Sequence, residues 1–371
     1  LSAQSFNLNE LGQAVAKVLS EQFATSVQVR QGQLLKEWNR NYVVRFRLEG
    51  GPVAGVVVKQ AKHQEDTWYD EWAGLRFLTE LAPGRFSPLL LGEDHQSAFF
   101  IMEDLGPGVS CEDYLNGSEP LATRQALLEQ ARLTAHLHLA SLHHENRYNA
   151  LRRHLAPPVQ EPMRERQAKA FQAWVEVIQN LLTPFGLTVP VMEYQQVATI
   201  VANPGPLLVF THGDLAPTNN HYGEGGVKLL DFEYGAYRHA FYDVISWQII
   251  CPYPADLIEE MNQLYRQELA RAILPLRDEA VFQHQLLALC AFDLLRTLRS
   301  GLGLALQHSQ QWATNFSNRQ AILYKLAVFK SKAQEWGYFQ ELGHLSKQLH
   351  WLLATRWELS EDSKLPWPVF G

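Results

Sequence analysis

The chain has 371 residues, more than one compact core usually organises, so two packed lobes with a ligand site in a cleft are expected. Hydrophobic residues make up 46% and there are ten Trp, which excludes a disordered chain, while a formal charge of −7 without a dense Lys/Arg cluster argues against nucleic acid as a partner. Cys111, Cys251 and Cys290 are widely spaced and no apolar run reaches the ~18–20 residues of a membrane span, so buried free thiols, a cytoplasmic location and no membrane partner are expected.

In chain order, Leu8, Leu11, Val15, Val18 and Leu19 recur at helical spacing, and Asn7 is placed to cap that helix. Tyr42–Leu48 and Val53–Lys59 are rich in β-branched and aromatic residues with Glu49, Gly50, Gly51 and Pro52 between them, which predicts a hairpin. After Asp66, Trp68, Trp72, Leu75 and Leu78 form one helical stripe that Pro83 and Gly84 end, and a strand is expected over Ser97–Met102. The texture changes near Glu103–Gly108. Beyond it Thr123–Leu142 reads as a largely buried helix, Leu207–Asp231 as a strand-rich interruption, and Val244 to about Trp357 as mostly helix. These elements predict an α+β chain with an N-terminal lobe over residues 1–105 and a mainly helical lobe over 106–371.

The chemistry concentrates between Leu207 and Asp243, where the strand LLVF runs into THGDLAPTNN, HYGEGGVKLL and DFEYGAYRHAFYD. The GEGG run tolerates positive φ, so His221 and Tyr222 can fold back on Val227–Leu230. Counting outward brings Asn219 beside Leu230 and Asp231, with Cβ atoms about 5–8 Å apart, close enough for an amide oxygen and a carboxylate to share one hard cation, best Mg²⁺. Asp214 precedes Asn219 by five residues and can reach a hydroxyl near that cation as base or orienting group. Phosphoryl transfer needs this set, because its work is electrostatic stabilisation and in-line positioning. The competing reading, turn caps at Asp214 and Asn219 and a strand end at Asp231, accounts for each residue singly but not for the whole pattern.

HGDLAPTN followed by DFE resembles the HGDxxxxN and D[FIL][DE] signatures of the aminoglycoside phosphotransferase and choline kinase superfamily, relatives of the protein kinases. The resemblance implies a protein-kinase-like two-lobed fold, with an N-terminal antiparallel sheet and helix and a larger helical C-terminal lobe. It implies Asp214 as the catalytic residue, Asn219 and Asp231 as metal ligands, ATP or GTP as co-substrate, and Mg²⁺. His212 should then support the catalytic loop and Asp243 should anchor it. A kinase-like fold also requires an upstream strand lysine paired with a helix glutamate to grip the α and β phosphates; Lys59 in VVVKQ fits, and Glu71, inside the apolar stripe, is a better partner than Glu65. An exposed edge-strand lysine is the plain alternative for Lys59. FFIMEDLG resembles the adenine-binding hinge, with Glu103, Asp104 and Leu105 offering backbone groups to the purine. No GxGxxG stands between the first strands, where only Gly32 is near, but Asn39, Arg40, Asn41 and Tyr42 resemble the SNxxY turn of small-molecule kinases, which adds Asn39 and Asn41 to the nucleotide site.

The expected activity is phosphoryl transfer to a hydroxyl of a small molecule: an aminoglycoside, a choline-like alcohol, a hydroxy amino acid or a sugar. Candidate acceptor-site residues in the C-terminal helices are Asp293, Arg296, Arg299, Trp247 and Trp312. Arg296 and Arg299 share a helical side and could hold a substrate carboxylate or phosphate, or simply be surface or ion-paired arginines. A protein or lipid kinase would bring a glycine-rich loop and an APE-like activation segment, neither present here. A non-catalytic kinase-shaped scaffold would be expected to have lost one of Lys59, Asp214, Asn219 or Asp231, and all four are present.

Overall fold

The computed structural model describes residues 6–156, 162–313, 316–360 and 365–370. In chain order the elements are α1 (Leu8–Phe23), β1 (Gln28–Glu37), β2 (Asn41–Glu49), β3 (Gly55–Ala61), α2 (Asp66–Leu81), β4 (Leu90–Asp94), β5 (Phe99–Glu103), α3 (Cys111–Leu115), α4 (Pro120–Ser141), α5 (Glu145–Leu155), α6 (Met163–Leu182) and α7 (Val191–Ala202). They continue with β6 (Leu208–Thr211), β7 (Asn220–Gly223), β8 (Gly226–Leu229), β9 (Ala236–His239), α8 (Phe241–Ile245), α9 (Ala255–Leu269), α10 (Glu279–Thr297), α11 (Gly303–Gln307), β10 (Gln311–Ala313), β11 (Phe316–Ser317), α12 (Asn318–Trp336) and α13 (Gln340–Trp357). Wider π-type turns, Ser246–Ile250 and Leu298–Leu302, extend α8 and α10. The α+β organisation expected from the sequence is the one observed, an N-terminal antiparallel sheet followed by mostly helix.

The described residues form two compact units, one from Leu1–Val109, Arg147–Val159 and Asn220–Gly235, the other from Ser110–Asn146, Gln160–Asn219 and Ala236–Gly371. The first unit thus holds the sheet together with two segments that lie far beyond residue 105 in the chain.

In the sheet unit five antiparallel strands run in the order β1-β2-β3-β5-β4. The core forms where Leu11, Val15 and Leu19 of α1 meet Val44, Phe46, Val56, Val58, Phe99 and Ile101. That is the product of two periods in the sequence, three to four residues along α1 and two along the strands. The Asn7 side chain caps α1 by accepting from the backbone N–H groups of Asn9 and Glu10, as its position predicts. The late strand begins at Phe99 rather than Ser97, because Asp94 to Ala98 make a tight turn in which the Asp94 side chain accepts from Gln96 and Ser97 N–H. Strand β4, on the other side of that turn, is short, and its five residues are all half-buried, so it carries little alternation to find in the sequence. The β7-β8 hairpin also packs in this unit, through Leu229 N–H to Phe86 C=O and the Val109–Tyr222 bridge.

The helical unit is built on α4, α6, α7, α9, α10, α12 and α13, with the short β6-β9 pair lying on α4. Its core includes Leu127, Phe171, Phe210, Phe241, Trp247, Tyr265, Phe292 and Phe329, all essentially removed from water. Cys111, Cys251 and Cys290 are buried free thiols, as their spacing predicts. Among the described residues no helix is long and apolar enough to cross a membrane.

Candidate active site

Lys59 stands on β3, paired to Val43 of β2 on one side and Phe100 of β5 on the other. It is therefore a buried central-strand lysine, and the edge-strand alternative does not apply. Its Nζ donates to Glu71 Oε1 at 2.8 Å and Oε2 at 2.6 Å, and to Asp231 Oδ1 at 2.7 Å. Glu71 is buried on the inner face of α2, whereas Glu65 is exposed at the helix start, as read from the apolar stripe. Burial works to lower the lysine pKa, but the Glu71 and Asp231 carboxylates beside it prevail and hold it above the ordinary range. Burial raises Glu71 to about 7 against the opposing pull of Lys59, with the nearby Asp231 charge adding to the rise.

Asp231 follows β8 and has φ +65°, a left-handed conformation that costs a residue with a Cβ but that Asp adopts more readily than most. It puts the carboxylate on Lys59 while the side chain stays 40% exposed. The hairpin before it closes in the register counted from the sequence, Gly223 opposite Gly226 through Asn220 opposite Leu229, with Gly226 at φ +81°. Two residues on, Glu233 pairs with Arg40 at 2.7 Å. Arg40 sits in the β1-β2 turn, between an exposed Asn39 and a buried Asn41 whose Oδ1 has no hydrogen-bond partner among the described residues. Gly32, the one glycine near the expected phosphate loop, lies within β1 instead.

The hinge candidates run from the end of β5. Glu103 N–H bonds Leu89 C=O and its Oε2 accepts from Leu89 N–H, while the Asp104 carboxylate holds the Arg45 guanidinium at 2.9 and 3.0 Å and accepts from Gly106 N–H. Those side chains are occupied locally, and the strip through Leu105 is half-buried.

In the helical unit the loop His212–Asn219 leaves β6, which is paired to β9 from Leu208–His239 to Thr211–Ala236. Gly213 turns the chain at φ +86°, where a side chain would be strained. Asp243 of α8 grips this turn: Oδ2 accepts from His212 N–H and Oδ1 from Gly213 N–H, each at 2.8 Å. Asp243 Oδ2 also meets His138 Nε2 at 2.9 Å, and His138 Nδ1 meets the Tyr265 hydroxyl at 2.6 Å. Burial works to raise the Asp243 carboxyl, but the hydrogen bond and charge of His138, aided by His212 and the Gly213 N–H, hold it below the ordinary range. His212 is fully buried, and its Nδ1 accepts from Asp214 N–H at 3.2 Å. Asp214 itself is exposed. Asn219 Nδ2 donates to Asp214 C=O at 3.0 Å and to its Oδ2 at 3.2 Å, which orients the carboxylate and turns the Asn219 Oδ1 the other way. Ser246 fixes the middle of the loop by donating to Leu215 C=O.

The site residues named from sequence thus fall into two constellations, Lys59, Glu71 and Asp231 in the sheet unit and His212, Asp214, Asn219 and Asp243 in the helical unit. Sequence reasoning missed His138 and Lys325, and it named Arg40 only as part of the turn, without its pairing to Glu233. His138 lies 105 positions from Asp243 and looks like any polar residue on a buried helix, so only the fold identifies it. Among the acceptor candidates Trp247 is core, bonded through Nε1 to Asn262; Trp312 is exposed; the Arg299 guanidinium lies over the Trp174 ring; and Asp293 and Arg296 form an ion pair.

No curated protein matches the sequence. Solved structures that resemble the chain include a choline kinase from Cryptosporidium parvum Iowa II (14% identity, 94% of this chain and 99% of that chain, TM-score 0.49). Others are the streptomycin–ATP–APH(2")-IIa ternary complex (14%, 82% and 97%, TM-score 0.47) and a Plasmodium vivax ethanolamine kinase (16%, 82% and 81%, TM-score 0.46). The family assignment rests on the sequence match: the phosphotransferase enzyme family model covers residues 31–278, which takes in Lys59, Glu71, the HGDLAPTN loop, Asp231 and Asp243, and this chain belongs to that family.

Proposed function

We propose that this protein transfers the terminal phosphoryl group of ATP or GTP to a hydroxyl of a small molecule. The observation that carries the reading is the bonding of one buried lysine to both Glu71 and Asp231, residues separated from it by 12 and 172 positions. A buried ion cluster of this kind is costly to desolvate and contributes little net stability, so its presence favours a functional role. Lys59, held in place by Glu71, would bind the α and β phosphates, the backbone of Glu103–Leu105 the purine, and the turn at Asn39 and Asn41 the outer phosphates.

Asp231 carries a carboxylate and Asn219 an amide oxygen, which also accepts from the Thr218 hydroxyl at 3.2 Å, and each is a hard oxygen donor of the kind Mg²⁺ takes. When bound, the ion would neutralise phosphate oxygens. Asp214, aimed by Asn219, would orient the acceptor hydroxyl and take its proton. The hydroxyl oxygen then forms the new bond to the γ phosphorus as the bond to the bridging oxygen breaks, and the nucleoside diphosphate leaves with that electron pair. His138 and Asp243 would act through the loop they hold, as positioning residues.

The test is Mg²⁺-dependent release of ADP or GDP with aminoglycosides, choline-like alcohols, hydroxy amino acids and sugars. An acceptor should raise turnover in the wild type, and Asp214→Asn should lower kcat by about 10²- to 10⁴-fold with nucleotide affinity retained. Silence throughout, with no binding of Mg-nucleotide, would instead support a kinase-shaped scaffold.

A further inference from the structure

The helical unit carries a second buried charge cluster. Asp293 on α10 is fully buried and accepts from Lys325 Nζ of α12 at 2.6 Å and from Arg296 Nη2 at 2.5 Å. Lys325 is also buried, and its Nζ donates as well to the Thr297 hydroxyl at 2.9 Å. Two cations on one carboxylate leave a positive charge over, and Arg296 is where it reaches solvent: its side chain is 39% exposed, and only one of its five N–H donors is used on Asp293.

This cluster stands beside the catalytic loop. Tyr242, next to the loop anchor Asp243, packs its ring against Phe292, the neighbour of Asp293, with centroids 6.1 Å apart. Helix α12 packs on the Ser246–Ile250 turn, whose Ser246 holds Leu215. The charges register the same proximity. Burial works to lower the Arg296 pKa, yet Asp293, Tyr242 and Asp214 together hold it above the ordinary arginine range. Burial raises the Cys251 thiol to about 11, and that thiol feels both Lys325 and Asp214. Arg238, buried with its guanidinium 3.9 Å from the Tyr242 ring centroid, adds a further cation to the same wall.

We infer that the acceptor is an alcohol bearing an oxyanion, a carboxylate or a phosphate, which Arg296 binds while the hydroxyl lies at Asp214. The inference rests on the phosphotransferase reading and narrows its acceptor. A quaternary or polyamine acceptor would have to place its positive charge against the Arg296 guanidinium, whereas an oxyanion can take the donors that Asp293 leaves free. Asp293 serves as the positioning residue, fixing the guanidinium from one side while it holds Lys325 on the other. The transfer balances as above, the hydroxyl proton passing to Asp214 and the oxyanion unchanged.

The experiment measures Mg²⁺ATP and Mg²⁺GTP binding first, then binding and turnover of D-glycerate, glycerol 3-phosphate, choline and kanamycin, in the wild type, Arg296→Gln and Arg296→Lys. The expected result is saturation by D-glycerate or glycerol 3-phosphate, the better of the two identifying the oxyanion. Arg296→Gln should raise KM for it by about 10- to 100-fold, with kcat, nucleotide affinity and Tm little changed and part of the loss restored in Arg296→Lys. Preferential use of choline or kanamycin, failure of both anionic probes to bind, or an unchanged KM in Arg296→Gln would overturn the proposal with the phosphotransferase reading intact. A wild type that binds neither nucleotide would sink that reading and this proposal with it.

Discussion

The two units bury charge in opposite ways. In the sheet unit a cation is the hub, Lys59 between Glu71 and Asp231; in the helical unit a carboxylate is the hub, Asp293 between Lys325 and Arg296. Each hub is buried, and in each cluster one arm is buried and the other partly exposed. The exposed arm is a carboxylate at Asp231 and a guanidinium at Arg296, so in the readings proposed above the first would face a metal cation and the second an anion. On those readings, a buried ion cluster would set the sign of what a surface binds through the arm it leaves in water.

The comparison makes an ordered set of predictions. Removing a hub should cost more than removing an arm. Lys59→Met strands two carboxylates and should lower unfolding free energy by about 3–5 kcal/mol in urea titrations, while Glu71→Gln, which leaves Lys59 its bond to Asp231, should cost clearly less. An equal or reversed order would remove Lys59 as the hub. Asp293→Asn should cost about 3 kcal/mol by the same measure because Lys325 keeps only Thr297, with Lys325→Met again the milder change.

Acid should sharpen the contrast, since the helical unit also buries a neutral histidine. Burial lowers His239 to about 4; its Nδ1 accepts from Phe241 N–H, so Nε2 carries the proton toward Gln285. The folded pKa lies below the unfolded value of ~6.5, so the unfolded chain takes up the proton first. The contribution of His239 is whole above about pH 6.5 and falls by about 3 kcal/mol as the pH drops toward 4, while Glu71, raised to about 7, contributes in the opposite sense over that window, so the comparison with a His239 variant isolates the histidine. The depressed carboxyl of Asp243 adds a loss only at lower pH, below the ordinary carboxylate range of ~3.9. Melting temperatures of the wild type and His239→Gln across that range should converge as the pH falls; parallel curves would show that His239 does not govern the acid limb. The smallest effect on stability belongs to Arg296→Gln, at most about 1 kcal/mol because the side chain is partly exposed. A larger loss would make Arg296 part of the hub rather than its exposed arm.

Much of this was legible in the sequence because it is local. The cap at Asn7, the α2 stripe that singles out Glu71 over Glu65, the GEGG hairpin and the spacing of Asp214 and Asn219 all depend on neighbours within a few residues, where backbone geometry leaves few choices. Strand β4 and the true start of β5 were not, because a five-residue strand without alternation gives no periodic signal. The pairing of Asp243 with His138, of Glu233 with Arg40 and of Asp293 with Lys325 spans 105, 193 and 32 positions respectively. By itself, then, the sequence determined which residues could do the chemistry and on which elements they stand. Only the tertiary structure decided which charges neutralise one another and which are left over, because the energy of a buried charge depends on partners that meet through the packing of distant elements.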